Sequence, residues 1–70
     1  MDTYERLSPY NKRIAALKYE LSKTDYLALK FAEGEITAED YADTLEQRRA
    51  WRSEINDLEA KKREIIKNTL

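Results

Sequence analysis

Apolar side chains recur at intervals of three and four on both sides of the chain's one glycine, Gly34. Before it the positions are Leu7, Tyr10, Ile14, Leu17, Leu21, Ala28 and Phe31. After it they are Tyr41, Trp51, Ile55, Leu58 and Ile65, with Thr44, Arg48 and Lys62 keeping the same rhythm as polar members. Helical pitch puts positions spaced in this way on one face. Two such faces joined by a short loop predict an all-α fold, an antiparallel two-helix hairpin of coiled-coil type, as one domain over residues 1–70.

The punctuation of the chain suggests the boundaries. Ser8-Pro9 suits a helix start, with serine as N-cap and proline in the first helical position, so the first helix is expected over about 9–33. Ser22-Lys23-Thr24-Asp25 could act as an internal cap, and one helix with a bend is preferred over two helices. Gly34 supplies the left-handed conformation that closes a helix, giving a turn at 34–36. Thr37 then caps a second helix over about 37–67. Asp40 stands three residues later, and Ile36 and Tyr41 are placed as a hydrophobic staple.

Folding the chain about this turn pairs positions whose numbers total 72. Phe31 meets Tyr41, Ala28 meets Thr44, Leu21 meets Trp51, Leu17 meets Ile55 and Ile14 meets Leu58; beyond them Tyr10 meets Lys62 and Leu7 meets Ile65. The predicted core is Leu17, Leu21, Phe31, Tyr41, Trp51, Ile55 and Leu58. A shifted register would set leucines against charges. One layer is polar: Thr24 faces Arg48, and Asp25 lies beside them. An arginine in a seam needs an anionic or well-bonded partner. Asp25–Arg48 is therefore expected as a structural ion pair that fixes register. The competing use of Arg48, with Arg49 and Arg52, is an anion site.

Size changes the picture. Seventy residues without cysteine form a marginal domain, and such domains usually gain stability by association. Tyr19, Tyr26, Leu27, Leu29, Leu45 and Ile66 fall off the seam, and Tyr4 either extends it or lies outside. A two-helix seam covers one face of each helix, so these side chains are exposed or covered by something else. Tyr19, Tyr26, Leu29, Leu45, Arg52 and Ile66 are the candidate interface, since tyrosine joins a large apolar body to a polar tip. The competing reading is scattered surface residues that need no explanation. A homodimer forming a four-helix bundle, or docking on another protein, would cover them.

Charge adds less. Thirteen bases and 14 acids leave a net charge of −1, so no overall field draws the chain to nucleic acid or to a membrane. Six carboxylates between Glu33 and Glu46, and the bases Lys61, Lys62, Arg63 and Lys67 near the end, match the dipole of one long helix. Nucleic-acid binding through Arg48, Arg49, Arg52 and the basic tail is the alternative, opposed by the interrupting Glu46, Glu54 and Asp57. No apolar run approaches the roughly 20 residues that cross a bilayer, and no basic-then-apolar leader is seen. Glu39, Asp40 and Asp43 cluster, but capping and solvent account for them. With no cysteine, no histidine and one glycine, the chain has no cysteine nucleophile, no histidine base and no phosphate-binding loop. No catalytic residue, metal ligand or cofactor is expected.

One segment is more particular than helix packing requires. It runs Thr24-Asp25-Tyr26, Lys30, Glu33-Gly34, Thr37, Asp40-Tyr41, Gln47-Arg48, Ala50-Trp51-Arg52 and Ile55-Asn56. Over roughly residues 14–59 it resembles a helical segment of phage and prophage tail proteins of the tail-fibre and tail-fibre-assembly type. The resemblance implies a non-enzymatic accessory protein of virion or tail assembly, in the host cytoplasm or on the virion, with itself, another phage protein or a host protein as partner. A phage protein that binds and inhibits a host protein or defence system is the alternative within that resemblance.

Overall fold

The computed structural model describes residues 2–69; Met1 and Leu70, the ends of the domain expected over 1–70, lie outside the described residues. Two helices, α1 (Thr3–Ala32) and α2 (Ala38–Thr69), fold back on each other as an antiparallel hairpin. At 1.5 Å per residue a helix of 32 residues is about 48 Å long, and the molecule measures 49 × 16 × 15 Å. It is a rod one helix long and two helices wide.

The start of α1 corrects the boundary expected at Pro9. Asp2, in extended conformation, is the N-cap: its Oδ1 accepts the Glu5 N–H at 2.8 Å, and its carbonyl accepts Arg6 N–H at 3.1 Å. Aspartate followed three residues later by glutamate is the capping-box pattern. Ser8 and Pro9 therefore lie inside the helix. Proline removes the bond that would reach the Glu5 carbonyl. Glu5 is exposed, so water can serve that oxygen, while the added turns bring Leu7 and Tyr10 into half-buried positions.

No break occurs at Ser22–Asp25. The Ser22 hydroxyl donates to the Tyr19 carbonyl at 2.7 Å, and Thr24 Oγ1 donates to the Leu21 carbonyl at 3.0 Å. Both hydroxyls turn back onto the preceding turn and leave the helical backbone intact.

Two backbone hydrogen bonds in the loop close α1. Gly34, at φ +77°, donates its N–H to Phe31 O at 3.0 Å, and Glu35 N–H reaches Lys30 O at 2.8 Å. This is the Schellman arrangement, which needs a left-handed residue at the glycine position. Thr37 caps α2 as expected from its sequence, its Oγ1 accepting Asp40 N–H at 3.1 Å.

Along the seam, Ile14, Leu17 and Ile55 form the buried cluster, and Leu21, Trp51 and Leu58 pack against it half-buried. Leu17, at 1% exposure, is the most enclosed side chain. Tyr41 is buried and stacks on Phe31 with ring centroids 4.8 Å apart. Phe31 itself departs from the predicted core, since 38% of it is exposed. It lies in the last turn of α1, directly before the loop, where the seam ends.

These observations set an order of stability effects. Leu17→Ala is expected to cost about 2–5 kcal/mol, as for buried leucines generally, enough to melt so small a hairpin. Gly34→Ala meets no atom within 4 Å, so its loss is conformational, about 1–2 kcal/mol. Asp2→Ala should cost about 1 kcal/mol, whereas Ser8→Ala should change little. Thermal unfolding followed by circular dichroism checks the series. A larger effect at Ser8 than at Asp2 would contradict the helix start.

Candidate functional site

The polar layer is built from three elements of helix geometry. Thr24 and Asp25 are consecutive on α1, and Leu21 lies one turn before them. Arg48, on α2, is only 5% exposed. Its Nη1 donates to Thr24 Oγ1 at 2.6 Å and to the Leu21 carbonyl at 2.9 Å; its Nη2 donates to Asp25 Oδ1 at 3.0 Å. The Thr24 hydroxyl in turn donates a hydrogen bond to Leu21 O, so the hydroxyl and the carbonyl are both engaged around one guanidinium. No buried side-chain polar atom lacks a partner among the described residues.

The ion pair is lopsided. The Arg48 side chain is 6% exposed and that of Asp25 is 66%. Water reaches the carboxylate, so the charge attraction is screened and worth little more than an exposed pair. The bonds that cannot be replaced by water are those to Thr24 and Leu21. The layer thus acts through hydrogen bonding at the buried end of the guanidinium, with Asp25 as its solvent-side end. It also decides against an anion site at Arg48, Arg49 and Arg52: Arg48 is turned into the seam, while Arg49 and Arg52 are exposed.

A second cross-helix pair flanks the seam. Arg13 Nε and Nη2 donate to Glu54 Oε2 and Oε1 at 2.6 and 3.0 Å, a two-pronged contact. The bond from Arg13 lowers the Glu54 carboxyl below its ordinary range, and the bond to Glu54 raises Arg13. The 3-4 rhythm points neither to this pair nor to the cap at Asp2. Arg13 and Glu54 lie one step off that rhythm, and the signal that would find them is their opposite charge on the same flank.

The candidate interface residues fall on separate strips. Tyr19, Tyr26 and Leu29 are 63%, 60% and 59% exposed on α1. Helical pitch places the two tyrosines on the side of α1 that faces away from the seam. Leu45, Arg52 and Ile66 follow at multiples of seven along α2, on a row flanking the seam. Leu45 and Leu27 are half-buried, Arg52 is exposed, and Ile66 is 41% exposed. Tyr4, 76% exposed, lies outside the seam. On α1, Lys23 Nζ sits 5.2 Å from the centre of the Tyr19 ring, and Lys30 Nζ sits 4.7 Å from that of Tyr26. Each is a tyrosine–lysine pair four residues apart, repeated after seven.

Beyond these strips, Glu5, Arg6, Pro9, Tyr10, Ile65 and Asn68 line an open groove of about 540 Å³ where the two helix ends meet. No group of three or more acids close enough to hold a metal ion occurs among the described residues. Among the described residues no helix is long and apolar enough to cross a membrane. The chain matches no known protein family, no curated protein and no solved structure.

Two outcomes follow. Arg48→Ala is expected to destabilise most, Thr24→Val by about 1–3 kcal/mol because Arg48 loses a buried acceptor, and Asp25→Ala least, within about 1 kcal/mol. Urea unfolding of the three variants checks the order; an Asp25 effect exceeding that of Thr24 would contradict it. For Glu54, a folded pKa below the unfolded one means that its contribution is present above the ordinary carboxylate range. It is lost as the pH falls through the depressed folded value. In acid titrations of stability, Glu54→Gln should remove part of the decline, and the difference should shrink in high salt.

Proposed function

We propose that this chain is a non-enzymatic phage or prophage accessory protein that works by protein–protein contact, in the assembly or structure of a virion or its tail. The observation that carries the reading is the amount of large apolar surface left outside the seam. Tyr19, Tyr26 and Leu29 are each more than half exposed, while the buried apolar set among the described residues is Ile14, Leu17, Tyr41 and Ile55. Exposed aromatic rows of this kind mark interaction sites. The phage assignment rests on the resemblance of residues 14–59 to tail-protein segments.

Self-association is the simplest cover. In a homodimer of four helices, the flank carrying Leu45, Arg52 and Ile66 would meet its own counterpart, as a two-fold contact requires. A further phage protein or a host protein would use the same exposed strips.

Sedimentation equilibrium over a range of concentrations tests association, with Tyr26→Glu for the outer strip and Ile66→Glu for the flank. Tyr26→Glu leaves an acid four residues before Lys30, a favourable helix pair, so the helix should persist. The parent is expected to exceed the monomer mass, and at least one variant to lose the excess. Affinity capture from phage-producing cells identifies a foreign partner and separates an assembly role from inhibition of a host protein. A concentration-independent monomer that captures nothing would overturn the reading.

A further inference from the structure

The outer faces of the two helices, each turned away from the seam, are complementary to one another. Between Ser8 and Lys30 the outer half of α1 carries Lys12, Lys23 and Lys30 and no acid. Tyr19 and Tyr26 lie along its centre. The outer half of α2 carries a line of Glu46, Asp57 and Glu64 separated by small residues, with Arg49 and Arg63 beside it and Lys67 at its end. All of these are exposed except half-buried Lys30. Lysines and tyrosines on one helix, and an acidic line with small residues on the other, lie on opposite sides of the same hairpin.

We propose that the outer face of α1 docks, side by side and parallel, on the outer face of α2 of a second copy of this chain. This rests on the protein–protein reading and names the partner. Adding 34 to a number on α1 gives its proposed counterpart on α2. Lys12 then meets Glu46, Lys23 meets Asp57 and Lys30 meets Glu64, three opposite-charge pairs. Tyr19 meets Ser53 and Tyr26 meets Ala60, so each ring enters a gap over a small residue. The rows share a seven-residue repeat, which is the spacing that keeps two helices in contact. Of the bases beside the acidic line, Arg49 meets Ala15, Lys61 meets Leu27 and Arg63 meets Leu29. The like-charged pairs Lys18–Arg52, Glu20–Glu54 and Asp25–Glu59 lie on the seam flanks, off the docking faces, and Glu5–Glu39 falls outside this stretch. Running α2 in the other direction retains Lys12–Glu64 and Lys30–Glu46 but sets Lys23 against Ser53, one ion pair fewer, which favours the parallel arrangement.

In the separate hairpin, Lys23 and Lys30 lie over the Tyr19 and Tyr26 rings. Docking would swing the ammonium groups onto the facing acids and bare the rings to the small residues. The contact joins two different surfaces, so it does not close on itself at two copies. Each added hairpin presents a fresh α1 face or α2 face, and association continues. Because the pairs are near the surface, it weakens with salt.

The test is sedimentation of the full chain over a range of concentrations at low and high salt. One variant carries Lys12→Glu, Lys23→Glu and Lys30→Glu; the other carries Glu46→Lys, Asp57→Lys and Glu64→Lys. Tyr26→Ala, which keeps every charge, is run beside them, and circular dichroism monitors helicity. The parent is expected to pass twice the monomer mass as concentration rises and to fall back in high salt. Each triple variant alone loses the rise, an equimolar mixture of the two restores it, and Tyr26→Ala lowers it. A mixture that stays monomeric overturns the pairing. A parent that stops at a salt-insensitive dimer overturns it too, while leaving the four-helix dimer standing. A parent that is monomeric throughout overturns self-docking and leaves a foreign protein, tested by capture, as the partner. Mass gained only on adding duplex DNA at physiological salt overturns it in favour of an anionic polymer on the lysine face.

Discussion

Two antiparallel helices share a single strip of contact, and every other side chain of this hairpin looks outward. That constraint explains the small enclosed core, with Leu17 as its most buried member. It also explains why Leu21, Trp51 and Leu58, all on the predicted face, end half-buried. Their seam sides touch the core while their flanks meet water. A third element would have covered them. Without one, hydrophobic burial is concentrated in a few layers, and the remaining stability depends on features that cost little surface: caps, the closed turn and cross-helix polar bonds.

Arg48 is where this shortage of apolar contact is met by polar chemistry. A guanidinium placed in the seam would be costly if its donors were idle. Here a hydroxyl, a helix carbonyl and a carboxylate take them. The hydroxyl and carbonyl come from positions one turn apart on α1, so a shifted pairing of the helices would leave the guanidinium without them. Register is therefore specified at the centre by hydrogen bonding, at the loop end by the Phe31–Tyr41 stack, and between Arg13 and Glu54 by charge.

The same geometry separates structure from interaction. Residues that hold the hairpin face inward along one line. Those left over are sorted into an aromatic and lysine-bearing outer face on α1, an outer face on α2 with a line of acids, and a flank with Leu45, Arg52 and Ile66. Helical repetition keeps each set on its own strip for several turns, and such strips are surfaces on which another helix can lie.

The architecture was legible in the sequence because it follows from local rules. The 3-4 rhythm marks the seam, Gly34 marks the turn through its positive φ, and Thr37 marks the start of α2 through a side chain that caps its own neighbours. Even Arg48 with Thr24 and Asp25 could be read, since a charge on an apolar face requires partners at the same level. What depended on the tertiary structure was how far each side chain is enclosed. Pro9 inside α1 was hidden because a local helix-start signal yielded to the Asp2 cap and to the added seam positions. The exposure of Phe31 and of Asp25 depends on what stands beside them in space: the seam ends near the loop, and the carboxylate lies on its rim. Periodicity states which way a side chain points, whereas burial depends on how much neighbouring chain is there to cover it.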